Sequence, residues 1–161
     1  MDLRIEKAGD SDLPLVLEFI RKLAEYERMS HRVFVTETDL RAALFAEHSV
    51  AEVLLAFADS APAGFAVYFP TFHTFSGRTG IYLEDLFVEP AHRRLGIGTA
   101  LLAAVAKIAA DRGGPLNWSV LKWNQPAIDF YNRLGAEEVT TWSAYKLSGE
   151  ALERVAALPS R

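Results

Sequence analysis

A mixed α/β fold is predicted by three observations. Segments with helical spacing of apolar residues alternate with shorter strand-like runs, three such runs follow one another between Val53 and Val88, and a strand enters a glycine-bearing turn that opens directly into a helix. No internal repeat, low-complexity tract or linker interrupts this order, so residues 1–161 read as one domain.

Leu3 to Lys7 reads as a short strand. A helix follows from about Asp12 to Arg28, with Leu13, Val16, Leu17, Ile20 and Leu23 at helical spacing behind the caps Asp10 and Ser11. Thr36 with Asp39 resembles a capping box and opens a helix to about Phe45. The signal then changes to strand at Val53–Phe57, turns around Asp59 to Pro62, resumes at Gly64–Phe69, and returns at Gly80–Val88 after Ser76–Gly77, which predicts an antiparallel meander.

Gly98 to Arg112 carries Leu101, Leu102, Val105, Ile108 and Ala109 on one helical face and stops at Gly113–Gly114, with Pro115 preventing continuation. Leu116–Leu121 reads as a strand, and Gln125–Leu134 as a helix with Pro126 in its first turn and Gly135 at its end. Val139–Lys146 reads as a further strand and about Glu150 to Ala157 as a closing helix.

Composition narrows the function. Half of the residues are apolar, enough for a core without crosslinks. The absence of cysteine removes thiol catalysis, cysteine-ligated zinc and disulfides, and fits a cytoplasmic location. No signal peptide is expected from MDLRIEKAGD, and no run approaches the roughly 18 apolar residues of a membrane span. A net charge of −4 without a basic run argues against nucleic acid as the main ligand. His31, His48, His73 and His92 lack metal-site spacing, so no metal is expected.

The most informative stretch is Phe87-Val88-Glu89-Pro90-Ala91-His92-Arg93-Arg94-Leu95-Gly96-Ile97-Gly98-Thr99. Gly96 and Gly98 permit close approach, while free N–H groups and partial positive charge at the start of the next helix suit a pyrophosphate. Arg93 or Arg94 can add a charge-assisted contact. The turn lacks a Gly-Lys-Ser/Thr ending, and a dinucleotide fingerprint would need a small residue where Leu101 stands, so a nucleotide kinase and a dehydrogenase both lose ground. The bland alternative is that the glycines only shape a helix entry and the arginines are solvated.

A strand with an acidic pair, followed by RRLGIG and a helix, resembles the acetyl-CoA signature of the Gcn5-related N-acetyltransferase (GNAT) superfamily. Leu23–Met29, Tyr82–Val88, Arg93–Gly98 and Trp123–Ala136 resemble, in order, the diamine (spermidine/spermine) and thialysine N-acetyltransferases. The resemblance implies a central mixed, mostly antiparallel sheet splayed between its fourth and fifth strands and flanked by helices. It also implies acetyl-CoA as cosubstrate, direct transfer of acetyl to a small cationic amine, and a homodimer with terminal strands available for exchange.

An amine of pKa ~10.4 must lose a proton before attacking a thioester, which at pH 7 costs about 4–5 kcal/mol. Glu84 stands in the apolar run Ile81–Val88, where a partly buried carboxylate can raise its pKa or hold a proton-accepting water. The other reading is an edge-strand charge pair or a bulge. Asp85 is the less certain partner, because adjacent strand residues face opposite ways unless a bulge intervenes.

The resemblance assigns the base role to Glu84 and the role of general acid toward the departing thiolate to Tyr131, which read alone would be a core aromatic. It places Leu86, Phe87 and Val88 beside the pantetheine arm, Arg94 to Thr99 around the pyrophosphate, and Asn124 with its neighbours, among them Pro126, against the arm from the other side.

Tyr26 and Glu27 match a position facing the acceptor, and Phe72, His73 and Phe75 could line its channel or only fill a loop. Where the polyamine enzymes carry an acid beyond the catalytic tyrosine, this chain has Trp142 or Ser143, which puts a long polyamine in doubt and sets a diamine or a lysine-like amino acid at least level with it. A protein or peptide amine, or a non-catalytic acyl-CoA-binding module, remain the alternatives.

Overall fold

The computed structural model describes residues 1–159, in which five strands form one sheet in the order β1-β2-β3-β4-β5. The backbone separates into two compact units, the first ending at Ser119 and the second beginning at Val120. The first contains β1 (Leu3–Lys7), α1 (Leu13–Tyr26), α2 (Glu37–Phe45), β2 (Glu52–Ala58), β3 (Ala61–His73), β4 (Arg78–Val88), α3 (Ile97–Asp111) and β5 (Leu116–Trp118). The second contains α4 (Gln125–Arg133) and α5 (Gly149–Ala156).

β1 to β4 pair antiparallel, and β5 joins β4 parallel. Both faces of the sheet are covered. Leu13, Val16, Leu17 and Phe19 of α1 pack with Leu40 of α2 and with Val53, Leu55, Phe65 and Phe87 of the strands. The alternating strand residues Leu54, Ala56, Ala66 and Tyr68 are buried too, and α3, with Leu101, Leu102, Val105 and Ala109 inward, packs on β3 and β4. Phe19 stacks on Phe65 with centroids 5.4 Å apart and meets Phe87 at 5.9 Å, an aromatic group that fixes α1 over the end of β4.

Local chemistry explains the boundaries. The capping box at α2 forms as the sequence predicts: the Asp39 N–H donates to Thr36 Oγ1 at 3.2 Å and the Thr36 N–H to Asp39 Oδ2 at 2.9 Å. At Gly80 an added Cβ would lie 2.6 Å from the Pro115 carbonyl oxygen, so the absence of a side chain there is what lets the chain entering β5 approach β4.

Two expectations are corrected. The strand expected over Leu116–Leu121 is only Leu116–Trp118, because its ladder with β4 ends at Leu83 opposite Trp118, next to a β-bulge in β4. The strand expected over Val139–Lys146 does not form: the segment follows α4 without secondary structure, leaving Trp142 and Tyr145 exposed, since β-branched and aromatic residues hold no strand without a ladder partner. Among the described residues, no helix is long and apolar enough to cross a membrane.

Candidate active site

The ends of β4 and β5 create an opening by ceasing to pair. β4 runs on to Val88, but its ladder to β5 stops at Leu83, so among the described residues Glu84 to Val88 have no strand beside them on that edge. That splay lies between the fourth and fifth strands, and it leaves main-chain donors and acceptors of Leu86, Phe87 and Val88 facing the gap or the β3 ladder by turns.

The bulge that accompanies the splay decides how the acidic pair is presented. Tyr68 pairs with Leu83 but Val67 pairs with Asp85, which makes Glu84 the extra residue. Adjacent acids therefore do not alternate in the ordinary way. Asp85 shares a face with Val67, which packs against the α1 core, while Glu84 is exposed. Burial raises the Asp85 carboxyl to about 7, and the negative charges of Glu84 and then Glu27 add to the effect. Burial also raises Glu27, the residue that caps the end of α1. The sequence pointed to Glu84 and placed Asp85 second. The signal for Asp85 was the pair of consecutive acids in an apolar strand, whose meaning depended on the bulge.

Beyond Val88 the chain makes a short 3-10 turn, Pro90–His92, and reaches α3 through Arg93 to Gly96. Gly96 adopts φ +84°, and a Cβ built there would meet nothing within 4 Å, so its bare backbone leaves an open cradle at the helix start. The first intrahelical bond is from the Ala100 N–H to the Gly96 carbonyl at 3.0 Å, so the N–H groups of Ile97, Gly98 and Thr99 have no carbonyl within the helix. Arg94, at φ +65°, and Leu95 are exposed beside them. A pyrophosphate fits these residues: free donors, the positive end of a 15-residue helix, an arginine and no obstructing side chain.

Arg93 is placed differently. Its Nε donates to the Val88 carbonyl at 3.0 Å, and its guanidinium lies 4.8 Å from the Tyr26 ring centroid and 5.9 Å from that of Phe87. Tyr26 and Glu27 thus stand at the end of α1 near Asp85 and Arg93. Phe75 is fully exposed at the tip of the β3–β4 hairpin, whose last pair is His73 with Arg78, at least six residues up β4 from Glu84, roughly 20 Å. The four histidines form no group able to hold a metal ion among the described residues.

In the second unit, Asn124 is buried and caps α4, its side chain accepting from the Ala127 N–H at 3.4 Å, with Pro126 in the first turn. The half-buried Tyr131 lies on this helix with its ring 5.1 Å from that of Phe130.

The sequence profile of the acetyltransferase (GNAT) family matches residues 17–136. The chain is 38% identical to a thialysine N-epsilon-acetyltransferase of Bos taurus over 94% of this chain and 96% of that one. It is 28% identical to an L-ornithine N5-acetyltransferase of Arabidopsis thaliana over 94% and 87%. Among solved structures, an integron cassette protein from the mobile metagenome of V. cholerae superposes with a TM-score of 0.79 at 30% identity, over 98% of this chain and 99% of that one.

Proposed function

Because the chain belongs to the acetyltransferase (GNAT) family and is an enzyme of the acyltransferase class, we propose that it moves acetyl from acetyl-CoA directly to the primary amine of a small cationic metabolite. The observation that carries the reading is the join of β4, open along one edge, to the bare Gly96 cradle at the start of α3. That join offers a strand edge for a pantetheine arm and helix N–H groups for a pyrophosphate. Residues 1–161 act as one catalytic domain in this reading.

Two relatives favour the acceptor class. Both are named for acetylation of a side-chain nitrogen of an amino acid, thialysine and L-ornithine, and the carboxylates of Glu27, Glu84 and Asp85 would attract the cationic form of such a molecule. A lysine-like amino acid is therefore the first acceptor to test, ahead of a diamine or polyamine.

In the proposed reaction Glu84 takes the ammonium proton, directly or through a water, beside Asp85, whose carboxyl titrates near neutrality. The amine nitrogen then bonds to the acetyl carbon and the carbon–sulfur bond breaks. The bonded nitrogen releases its surplus proton to solvent, and Tyr131 donates a proton to the departing thiolate and is reprotonated from solvent. Main-chain groups of Leu86 to Val88 orient the arm, Arg94 and the N–H groups of Ile97 to Thr99 hold the pyrophosphate, and Asn124 and Pro126 are further proposed contacts of the cosubstrate. Holding the reactants together supplies up to roughly 7–11 kcal/mol in favourable cases, so no covalent acyl-enzyme is needed.

A homodimer belongs to the same proposal. The segment 137–148 carries β-branched and aromatic residues but forms no strand, and it exposes Val139, Trp142 and Tyr145. A second copy is its proposed partner, in a cytoplasmic enzyme.

The test is acetyl-CoA-dependent release of free CoA with thialysine, L-ornithine, L-lysine, putrescine, spermidine and lysine-containing peptides. Turnover of a free amine, reduced in both Glu84→Gln and Tyr131→Phe, supports the mechanism. Turnover of peptides alone would transfer the proposal to a protein acceptor, and acetyl-CoA binding without turnover would leave only a binding module.

A further inference from the structure

Arg93 is the first basic residue of the phosphate turn, yet its side chain is directed to α1 and β4. The Nε–H is used on the Val88 carbonyl at 3.0 Å, and the guanidinium plane stands over Tyr26 at 4.8 Å. Phe87, 5.9 Å away, belongs to the aromatic group that holds α1 on the sheet. Although Arg93 is exposed, a guanidinium set against two aromatic rings and a carbonyl is oriented by them, a geometry lysine cannot reproduce.

A second tie runs beside it. Lys22 of α1 pairs with Glu89, the residue after β4, and Glu89 donates its N–H to the Ala63 carbonyl at 2.9 Å. Tyr26 is the last residue of α1 and Glu27 its cap. α1 and the entry to the phosphate turn are therefore joined twice within five residues of the end of β4.

We propose that Arg93 is a positioning residue that couples the acceptor end of α1 to the phosphate turn, and that Arg94 alone of the two makes the charge contact to phosphate. The inference rests on the proposed acetyl-CoA and amine reading. Its consequence is positional: Arg93, held on the Val88 carbonyl, fixes Tyr26 and Glu27 for the amine whether or not the turn holds a pyrophosphate.

The experiment compares Arg93→Gln, Arg93→Lys, Arg94→Gln, Tyr26→Leu and the Arg93→Gln/Tyr26→Leu pair, with thialysine as acceptor and either acetyl-CoA or S-acetylpantetheine, which lacks the pyrophosphate, as donor. Arg93→Gln and Arg93→Lys are expected to raise the thialysine KM about tenfold while the acetyl-CoA KM changes less than twofold, and the effect persists with S-acetylpantetheine. Arg94→Gln is expected to raise the acetyl-CoA KM and to have no effect with S-acetylpantetheine. The pair should be no worse than either single variant. A penalty from Arg93→Gln that falls on acetyl-CoA and vanishes with the truncated donor overturns the inference, as do effects of Arg93→Gln and Tyr26→Leu that multiply.

If the wild-type enzyme acetylates neither thialysine nor L-ornithine, the acceptor reading fails instead. The Arg93–Tyr26 contact is then judged by the unfolding midpoints of the same variants: non-additive shifts sustain the tie, and additive shifts overturn it.

Discussion

Asp85 stands opposite Val67 in the β3–β4 ladder, at the position an unbroken strand would have given to Glu84. One inserted residue thus moves a carboxylate from the sheet face it would otherwise occupy to the face covered by α1, where burial and the charges of Glu84 and Glu27 hold its carboxyl at about 7. The bulge also marks the end of pairing with β5. A single irregularity in β4 therefore sets both the opening of the sheet and the protonation behaviour beside it.

Asp85→Asn tests this electrostatic claim through stability. The folded pKa lies above the ordinary carboxylate value of 3.8, so the aspartate costs nothing well below pH 3.8, where it is neutral in both states, and little near pH 4. As pH rises toward 7 the unfolded chain ionises and the folded protein does not, so the wild type loses stability across that window and the loss is complete above it. The full shift corresponds to about 4 kcal/mol, and partial exposure with solvent screening reduces the expectation to about 1–2 kcal/mol. Urea unfolding at pH 4, 6 and 8 should show Asp85→Asn gaining on the wild type only at the higher values. Equal pH dependence of the two proteins would remove Asp85 from the titrating group.

The same variant bears on catalysis. If Asp85 assists Glu84, kcat/KM for the amine rises through a limb near pH 7 in the wild type, and Asp85→Asn lowers the plateau about tenfold or more and flattens that limb. A parallel profile of unchanged height would leave proton transfer to Glu84 alone.

Gly96 and Gly135 form a matched pair for the cradle. Both have φ +84°, and a Cβ at either would meet nothing within 4 Å. Alanine should therefore cost each about 1 kcal/mol of stability through left-handed strain alone. Only Gly96→Ala is expected to weaken acetyl-CoA, by tenfold or more in isothermal titration, because its methyl would occupy the space assigned to phosphate. Equal, unchanged affinities in the two variants would mean that Gly96 merely shapes the helix entry.

Much of this was legible from residue pattern. The helices at α1, α2, α3 and α4 announce themselves by apolar spacing, by the Thr36–Asp39 box and by Pro126, because those signals act within one turn of the chain. The phosphate turn was readable for the same reason. What escaped depends on partners distant in sequence. Val139–Lys146 has the β-branched and aromatic residues of a strand but no ladder in the described chain, Leu116–Leu121 stops at Trp118 where pairing with β4 ends, and the presentation of Asp85 follows from a register shift set by β3. The engagement of Arg93 with Tyr26 links residues 67 positions apart and has no local signature.

Tyr131→Phe separates acid catalysis from packing. Removing the hydroxyl leaves the ring that lies 5.1 Å from Phe130, so α4 should keep its fold. If Tyr131 protonates the thiolate, kcat falls about 100-fold or more while the acetyl-CoA Kd changes less than twofold. The loss should shrink with an acetyl thioester whose thiol has a low pKa, such as an acetyl thiophenol ester, because that leaving group needs no proton. A deficit that is the same for both thioesters would assign Tyr131 to structure.

The last prediction concerns the segment 137–148. Trp142 and Tyr145 are 78% and 96% exposed, and alternation puts Val139 and Tyr145 on one face of an extended chain with Thr141 and Ser143, while Trp142 lies on the other with Thr140 and Ala144. Unpaired main-chain groups beside exposed aromatics favour addition to another sheet edge, and a second copy offers the same segment in return. Light scattering coupled to size exclusion should give the mass of two chains. Replacing Tyr145 by Pro removes a main-chain donor and should shift the mass to one chain without changing the unfolding of the first unit's core, whereas Tyr145→Phe should leave it at two. A wild-type mass of one chain at micromolar concentration would show that this segment has no such partner.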